Sequence, residues 1–416
     1  MIKSRFGYTL LLYALLPRAI AHLLWRARRQ RAYLDHISER FGRYAVAAEQ
    51  PLIWVHAVSV GETRTAAPLI DALQRQYPHY RILLTHMTPT GRATGTALFN
   101  ERVLRCYLPY DFPFAVERFL EHFKPAGGVL LETEIWPNLI HACRARGVPV
   151  YLVNARLSEK SFRKYQRFSK LAAASLNELT GIATQSEADA GRLRALGAAA
   201  VAVTGNLKFD IMPDAVLVAQ GDAWRAAWGK SRPVLLFAST REGEEALLLE
   251  ALHDAAIPQL LTVIVPRHPQ RFGEVAALLE RHAVPFQRRS LGRPIAAQTQ
   301  VVLGDSMGEM FAYYAACDVA VIGGSLLPFG AHNLIEACAV GRPVIIGPHT
   351  YNFAEATQFA IDAGAALRVE DARGAMATAR ELIRDPARAQ RMAQAGLHFA
   401  RSHQGATARL IDLIKL

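Results

Sequence analysis

Two series of short apolar runs, each run followed by an amphipathic stretch, limit what this chain can fold into more than any other feature. The first series is LIWVHAVSV (52–60), RILLTH (81–86), GGVLLE (127–132), VPVYLVNA (148–155), GIATQ (181–185) and AAVAVTG (199–205). The second is PVLLFAS (233–239), LLTVIVP (260–266), VPFQ (284–287), TQVVLGD (299–305), DVAVIGG (318–324) and RPVIIGP (342–348). Runs this rich in Val, Ile and Leu suit strands covered on both faces, and strands alternating with helices pair in parallel through crossovers. At 416 residues the chain is too long for one ordinary core. The expected fold is α/β, with two Rossmann-like domains in tandem. Such sheets bind ligands at the carboxyl ends of their strands, so the two are expected to face a central cleft. Between the series, KFDIMPDAVLVAQGDAWRAAWGKSRP lacks a strand and carries Pro213 and Pro233, which puts the boundary near residue 215.

Ahead of the first run, FGYTLLLYALLPRAIAHLLW (6–25) has about the length of a membrane span, but Pro17, Arg18 and His22 interrupt it. Arg26, Arg28, Arg29, Arg31, Arg40 and Arg43 follow. A membrane-anchoring helix is expected, either crossing the bilayer or lying in its interface with Arg18 snorkelling. A hydrophobic helix buried in the protein itself is the plainer alternative. No small-residue cleavage site follows, so a removed signal peptide is not expected, and the arginines place the next domain on the cytoplasmic side. The division is then 1–30 for the anchor and its basic flank, 31–215 and 216–395 for the two domains, and 396–416 for a terminal helix packing back on the first.

The formal charge of +12 calls for a polyanionic partner: nucleic acid, anionic lipid or a phosphorylated substrate. No recognisable nucleic-acid motif is present, so nucleic acid is not the expected partner. Cys106, Cys143, Cys317 and Cys338 lie far apart with no metal spacing, as buried free thiols would.

Candidate site residues follow the strands. After DVAVIGG, Gly323, Gly324 and Ser325 lead to a helix expected to open near His332, where close backbone approach and free amides suit a phosphate. Asn333 and Glu336 would share a face of that helix, the carboxylate accepting from ribose hydroxyls. Arg267 and His268 follow LLTVIVP, and Arg267 suits a phosphate by its permanent charge and forked donors. Ser306, Met307, Gly308 and Glu309 follow TQVVLGD, their backbone near a base or phosphate, or as a plain helix cap. Ser239 and Glu242 read as a capping box.

In the first half, Gly61 and Glu62 stand at the tip of the first strand, where a carboxylate could take a proton from a hydroxyl. Glu132 and Glu134 end another buried strand, with Pro137 fit for a helix's first turn. Arg92 and Lys208 are placed to meet a phosphate. Each of these has a bland counterpart, a turn glycine, a helix-start acid or a solvated charge, and the residues alone leave both open. No Asp-x-Asp in a metal-binding context, P-loop or GxGxxG occurs, so neither metal nor cofactor is expected.

Taken together, VSVGET, MTPTGR, YLPYD, ETEIWPNL, NARLS, NLKFD, VPRHP, GDSMGE, GGS and GPHTYNF resemble the 3-deoxy-D-manno-octulosonic acid (Kdo) transferases of lipopolysaccharide biosynthesis, over essentially the whole chain. The resemblance implies an inverting, metal-independent enzyme of GT-B architecture at the bacterial inner membrane, moving Kdo from CMP-Kdo to a lipid A precursor. It implies Glu62 as general base, with Gly61, Arg92, Glu132 and Lys208 facing the acceptor. Arg267, the Met307 backbone, Asn333 and Glu336 would hold the CMP donor. The family loop commonly reads GGHNPLE; here Ala331 and Leu334 stand for its second glycine and its proline. Other GT-B enzymes, such as heptosyltransferases, lipid-linked N-acetylglucosaminyltransferases and nucleotide-sugar 2-epimerases, use diphosphate donors.

Overall fold

A computed structural model describes residues 4–47, 49–254 and 257–416, with backbone only at Arg29, His253 and Asp254. The chain forms two compact units, one of residues 1–210 with 403–416, the other Ile211–Ser402. The first three residues of the expected anchor lie outside the described residues.

The first unit holds a seven-stranded parallel sheet: β1 Leu52–His56, β2 Arg81–His86, β3 Val103–Tyr107, β4 Gly127–Leu131, β5 Val150–Ala155, β6 Gly181–Thr184 and β7 Val201–Val203, in the order β3-β2-β1-β4-β5-β6-β7. Successive residues of a strand point to opposite faces, and both faces of this sheet are covered. Accordingly Leu52 and Trp54 of β1 enter one apolar core while Ile53 and Val55 enter another. Each such side chain contributes roughly 1.5–3 kcal/mol on burial.

The second unit repeats the plan with β8 Val234–Thr240, β9 Leu261–Pro266, β10 Phe286–Arg288, β11 Val301–Leu303, β12 Val319–Ile322, β13 Val344–Ile346 and β14 Ala366–Arg368, ordered β10-β11-β9-β8-β12-β13-β14. The strand order reverses beside β1 in the first sheet, between β1 and β4, and beside β8 in the second, between β8 and β12. At such a point neighbouring connections leave on opposite faces and open a crevice beyond the strand ends.

The structure adds two strands that apolar runs do not reveal, β3 (VLRCY) and β14 (ALR), each at a sheet edge. An edge strand needs less apolar coverage, so Arg105 and Arg368 interrupt the pattern there. The units divide at 210/211 rather than near 215, and the return to the first unit begins at His403 rather than 396. The reason is helical continuity: Pro386–Ser402 is one helix whose Met392, Gly396, Phe399 and Ala400 are all buried, so its last turn stays with the second unit.

The final helix, Ala406–Leu413, places Ala406, Leu410 and Ile414 in the core that also contains Leu69, Ile70 and Leu73. Asp210 fastens its start by accepting from the amides of Gly405 (2.7 Å) and Thr407. Tyr77 and Tyr151 donate their hydroxyls to the carbonyls of Ile414 (3.1 Å) and Lys415 (2.8 Å). At the other end of the chain, the helix Arg5–Arg29 starts from Ser4, whose side chain caps the Gly7 amide. Among the described residues, Arg5–Arg28 is the one segment long and apolar enough to cross a membrane.

Candidate active site

Glu62 lies in the crevice of the first sheet. The loop from β1 enters the short helix Val60–Thr65 with Ser59 as its cap, the Ser-x-x-Glu spacing of a capping box. Glu62 closes the box by accepting from the Val58 amide (2.8 Å) and the Ser59 hydroxyl (3.0 Å). The next loop holds this one in place: Thr88 donates its hydroxyl to the Val58 carbonyl (3.2 Å), and a side chain at Gly91 would press on that hydroxyl (2.9 Å) and crowd the carbonyl (3.0 Å). Burial, with Glu132 and then Glu134 nearby, pushes the Glu62 carboxyl up to about 7 against the two hydrogen bonds that favour its charged form. Gly61 is exposed beside it.

Glu132 follows β4 directly, on the other side of the same strand reversal, and takes a left-handed backbone (φ 60°) that turns the chain out of the sheet. Lys208, in the turn Leu207–Asp210, is held below the usual lysine range by burial, while Glu132 and Glu62 pull it back toward charge. Glu62, Glu132 and Lys208 therefore form one electrostatic group. Glu134 lies at its side, accepting from the Trp136 indole (2.7 Å) and standing 3.8 Å from Nε2 of the buried His56. Pro137 takes the first turn of the helix Pro137–Ala145.

Arg92 is placed differently. Its guanidinium pairs with the buried Glu39 (2.6 Å) and lies over the Tyr107 ring, and Glu39 also accepts from the Tyr107 amide (2.8 Å). In this structure Arg92 ties the segment after the N-terminal helix to β3.

The second unit's crevice lies between the ends of β8 and β12. Gly323 is required there because a side chain would meet the Ser239 backbone, and Gly324 turns with φ 69°. The Gly324 and Leu326 amides donate to Glu244 (2.7 and 3.0 Å), which also accepts from Arg241 (2.9 Å). Arg267, Arg241 and His268 surround His332 and, after burial, hold its ring down to about 3, so that it is neutral among cations. His268 is likewise lowered by burial, Arg241 and Arg267. The His332 Nε2 is buried without a hydrogen-bond partner. Two guanidinium groups beside an unused ring nitrogen make a place for an anion.

Several expected placements change. No capping box joins Ser239 to Glu242: Ser239 has φ 61°, the helix begins at Glu244, and Glu242 is exposed and paired with Arg241. The glycine loop opens its helix at Ile335 rather than near His332, and that helix ends at Ala339, too short for much of a dipole. Asn333 and Glu336 do meet (3.2 Å), but Asn333 precedes the helix and caps the Ile335 amide instead of sharing a helical face. Ser325 is fully buried, its hydroxyl donating to the Ile322 carbonyl and accepting from the Gly347 amide. It fastens two loops together. Met307 and Gly308 are exposed after β11, while the Ser306 hydroxyl reaches Glu309 and Tyr313.

Sequence reasoning missed Glu244 and Arg241. Three acids in REGEE follow β8, and only their depth in the fold separates the buried Glu244 and Glu245 from the exposed Glu242.

Residues 35–211 match the family described as 3-deoxy-D-manno-octulosonic-acid transferase (kdotransferase), and residues 227–399 match glycosyl transferases group 1. The protein is a glycosyltransferase. It is 47% identical to a 3-deoxy-D-manno-octulosonic acid transferase of Bordetella pertussis over 97% of this chain and 98% of that one. An enzyme of the same name from Haemophilus influenzae is 37% identical, over 99% and 98%. The solved structure of Alr3699/HepE from Anabaena in complex with UDP is similar with a TM-score of 0.60 at 15% identity, covering 87% of this chain and 98% of that one, a likeness of fold alone. The chain belongs to the Kdo transferase family.

Proposed function

We propose that the protein transfers Kdo from CMP-Kdo to a hydroxyl of a lipid A precursor, inverting the anomeric centre without a metal. The setting of this reading is lipopolysaccharide assembly on the cytoplasmic face of the bacterial inner membrane. The observation that carries it is the Glu62 carboxyl, lifted to about 7 beside a strand reversal of the first sheet. A base with that affinity for protons is half-ionised near neutral pH and strong enough to take a proton from an attacking hydroxyl.

In this reading Glu62 accepts the acceptor's proton as its oxygen attacks the anomeric carbon and the bond to CMP breaks on the opposite face. Lys208 and Arg92 are assigned to acceptor phosphate, Gly61 and Glu132 to the acceptor's approach. Arg267 and Arg241 take the negative charge of the donor, which carries a phosphate and a carboxylate, with the His268 ring beside them as a neutral hydrogen-bonding group. The backbones of Gly323, Gly324 and Met307, with Asn333 and Glu336, hold the nucleotide. Cation and amide donors aimed at a leaving phosphate stabilise the charge that develops there.

The test is incubation of the purified protein, in chelator, with a tetraacylated lipid A precursor and CMP-Kdo, followed by mass analysis. Products heavier by whole Kdo residues, with release of CMP, are expected. Turnover only with UDP- or ADP-linked sugars, or loss of activity in chelator, would overturn the reading.

A further inference from the structure

The N-terminal helix Arg5–Arg29 carries two stripes along its length. Thr9, Leu12, Leu16, Leu23 and Ala27, spaced i, i+3, i+7, i+14 and i+18, form the side that is buried or half-buried. Phe6, Leu10, Pro17, Ile20 and Leu24, spaced i, i+4, i+11, i+14 and i+18, face outward, with Phe6 74%, Leu10 54% and Leu24 51% exposed. Arg18, Arg26 and Arg28 are exposed along the same helix.

The beginning of the helix is fixed to the first unit. Thr9 donates to Asn138 Oδ1 (3.0 Å), the Tyr8 hydroxyl hydrogen-bonds Asp111, and Tyr13 lies against Phe112 with ring centroids 5.1 Å apart. Asp111 is itself held by the Asn138 and Leu139 amides (3.0 and 2.8 Å). The far end packs Leu23 and Ala27 with Tyr33 and leads to the buried Arg40, which donates to the Met87 carbonyl (3.1 Å) of the same unit. A crossing helix must carry its two ends to opposite sides of about 30 Å of hydrocarbon. Here the beginning of the helix is bound to the globular unit, its far end packs on the segment Arg31–Tyr33 and the chain enters the same unit by Arg40, so both sides of a bilayer cannot be reached. Pro17 and Arg18 fall at the middle, where a crossing helix is least tolerant of charge.

We infer that this helix lies in the plane of the membrane surface on anionic phospholipid and does not cross the bilayer. The outward stripe enters the acyl boundary, and the arginines meet the headgroups. This rests on the membrane location proposed above, and the two can fail separately.

The test uses the full chain in a bacterial host, carrying Ser4→Cys as its reactive thiol, since the four native cysteines are buried. A membrane-impermeant maleimide is expected to label it in inverted vesicles and not in intact spheroplasts. Labelling from outside intact spheroplasts means a crossing helix and overturns the inference, as does labelling in neither preparation. The purified chain is also expected to float with phosphatidylcholine vesicles that contain phosphatidylglycerol. Leu10→Glu with Leu24→Glu should weaken that binding at least about tenfold, with an unchanged circular dichroism spectrum. Undiminished flotation of the double variant, or a stable dimer of the free chain that the same substitutions dissolve, overturns the role of the stripe. Failure to float with these vesicles overturns this inference and the membrane location together.

Discussion

Glu62 answers two demands that pull its charge in opposite directions. The Val58 amide and Ser59 hydroxyl favour the carboxylate, while burial and two neighbouring glutamates favour the acid, and the balance falls at about 7. A base works only when unprotonated, so kcat/KM for the acceptor should rise with pH through about 7 and level off above it. Glu62→Gln should lower turnover by roughly 10²- to 10⁴-fold and abolish that acid limb. A variant with wild-type turnover under saturating substrates would remove Glu62 from the chemistry. Arg92 needs a different experiment because it pairs with a buried acid. Arg92→Ala takes from the buried Glu39 its guanidinium partner, leaving it the Tyr107 amide and His36 at 3.5 Å, and should cost about 3–5 kcal/mol of stability in thermal unfolding, whatever it does to acceptor binding. Ala331 is buried with φ 66°, a conformation that L side chains adopt at a cost. Ala331→Gly should therefore gain about 0.5–1 kcal/mol, the released strain being partly offset by the freer unfolded chain. A loss of stability would show that the methyl group's packing outweighs the backbone strain.

At the scale of elements, the central strands were plain in the sequence because each is buried on both faces and must read as an unbroken apolar run. β3 and β14 were not, since an edge strand such as VLRCY can afford an arginine. The candidate residues after β1, β4 and β12 were legible for a related reason: in a parallel sheet, chemistry gathers where strands end. What could not be read was which of several neighbouring polar groups turns inward. Glu242 and Glu244 are two residues apart in REGEE, yet one is exposed and the other receives three backbone amides. Ser239 resembled a helix cap until its left-handed backbone was known. Glu244 now becomes a test of the glycine loop: Glu244→Ala should destabilise the second unit by about 1.5–3 kcal/mol for each charged hydrogen bond left without replacement by water. It should also raise KM for CMP-Kdo more than it changes kcat. An unchanged melting profile would mean that the loop holds its shape without that carboxylate.

On the scale of the whole molecule, the surplus of positive charge is a matter of encounter rather than of fold. A formal charge of +12 draws the protein toward anionic surfaces over a distance set by salt, about 10 Å at 0.1 M. Raising the salt concentration should weaken binding to anionic vesicles progressively, and binding indifferent to salt would leave the arginines without a part in it. The first unit, by contrast, has its stability decided by where its pieces lie in the chain. Its core is completed by Leu410 and Ile414, and these are made only after the whole of Ile211–Ser402. At ribosomal speeds of about 5–20 residues per second, that intervening segment takes on the order of 10–40 s to emerge. During that interval the partners that Leu410 and Ile414 supply to Leu69, Ile70 and Leu73 are missing. The first unit, although its sheet is made first, therefore lacks part of its core until the whole of Ile211–Ser402 has been translated.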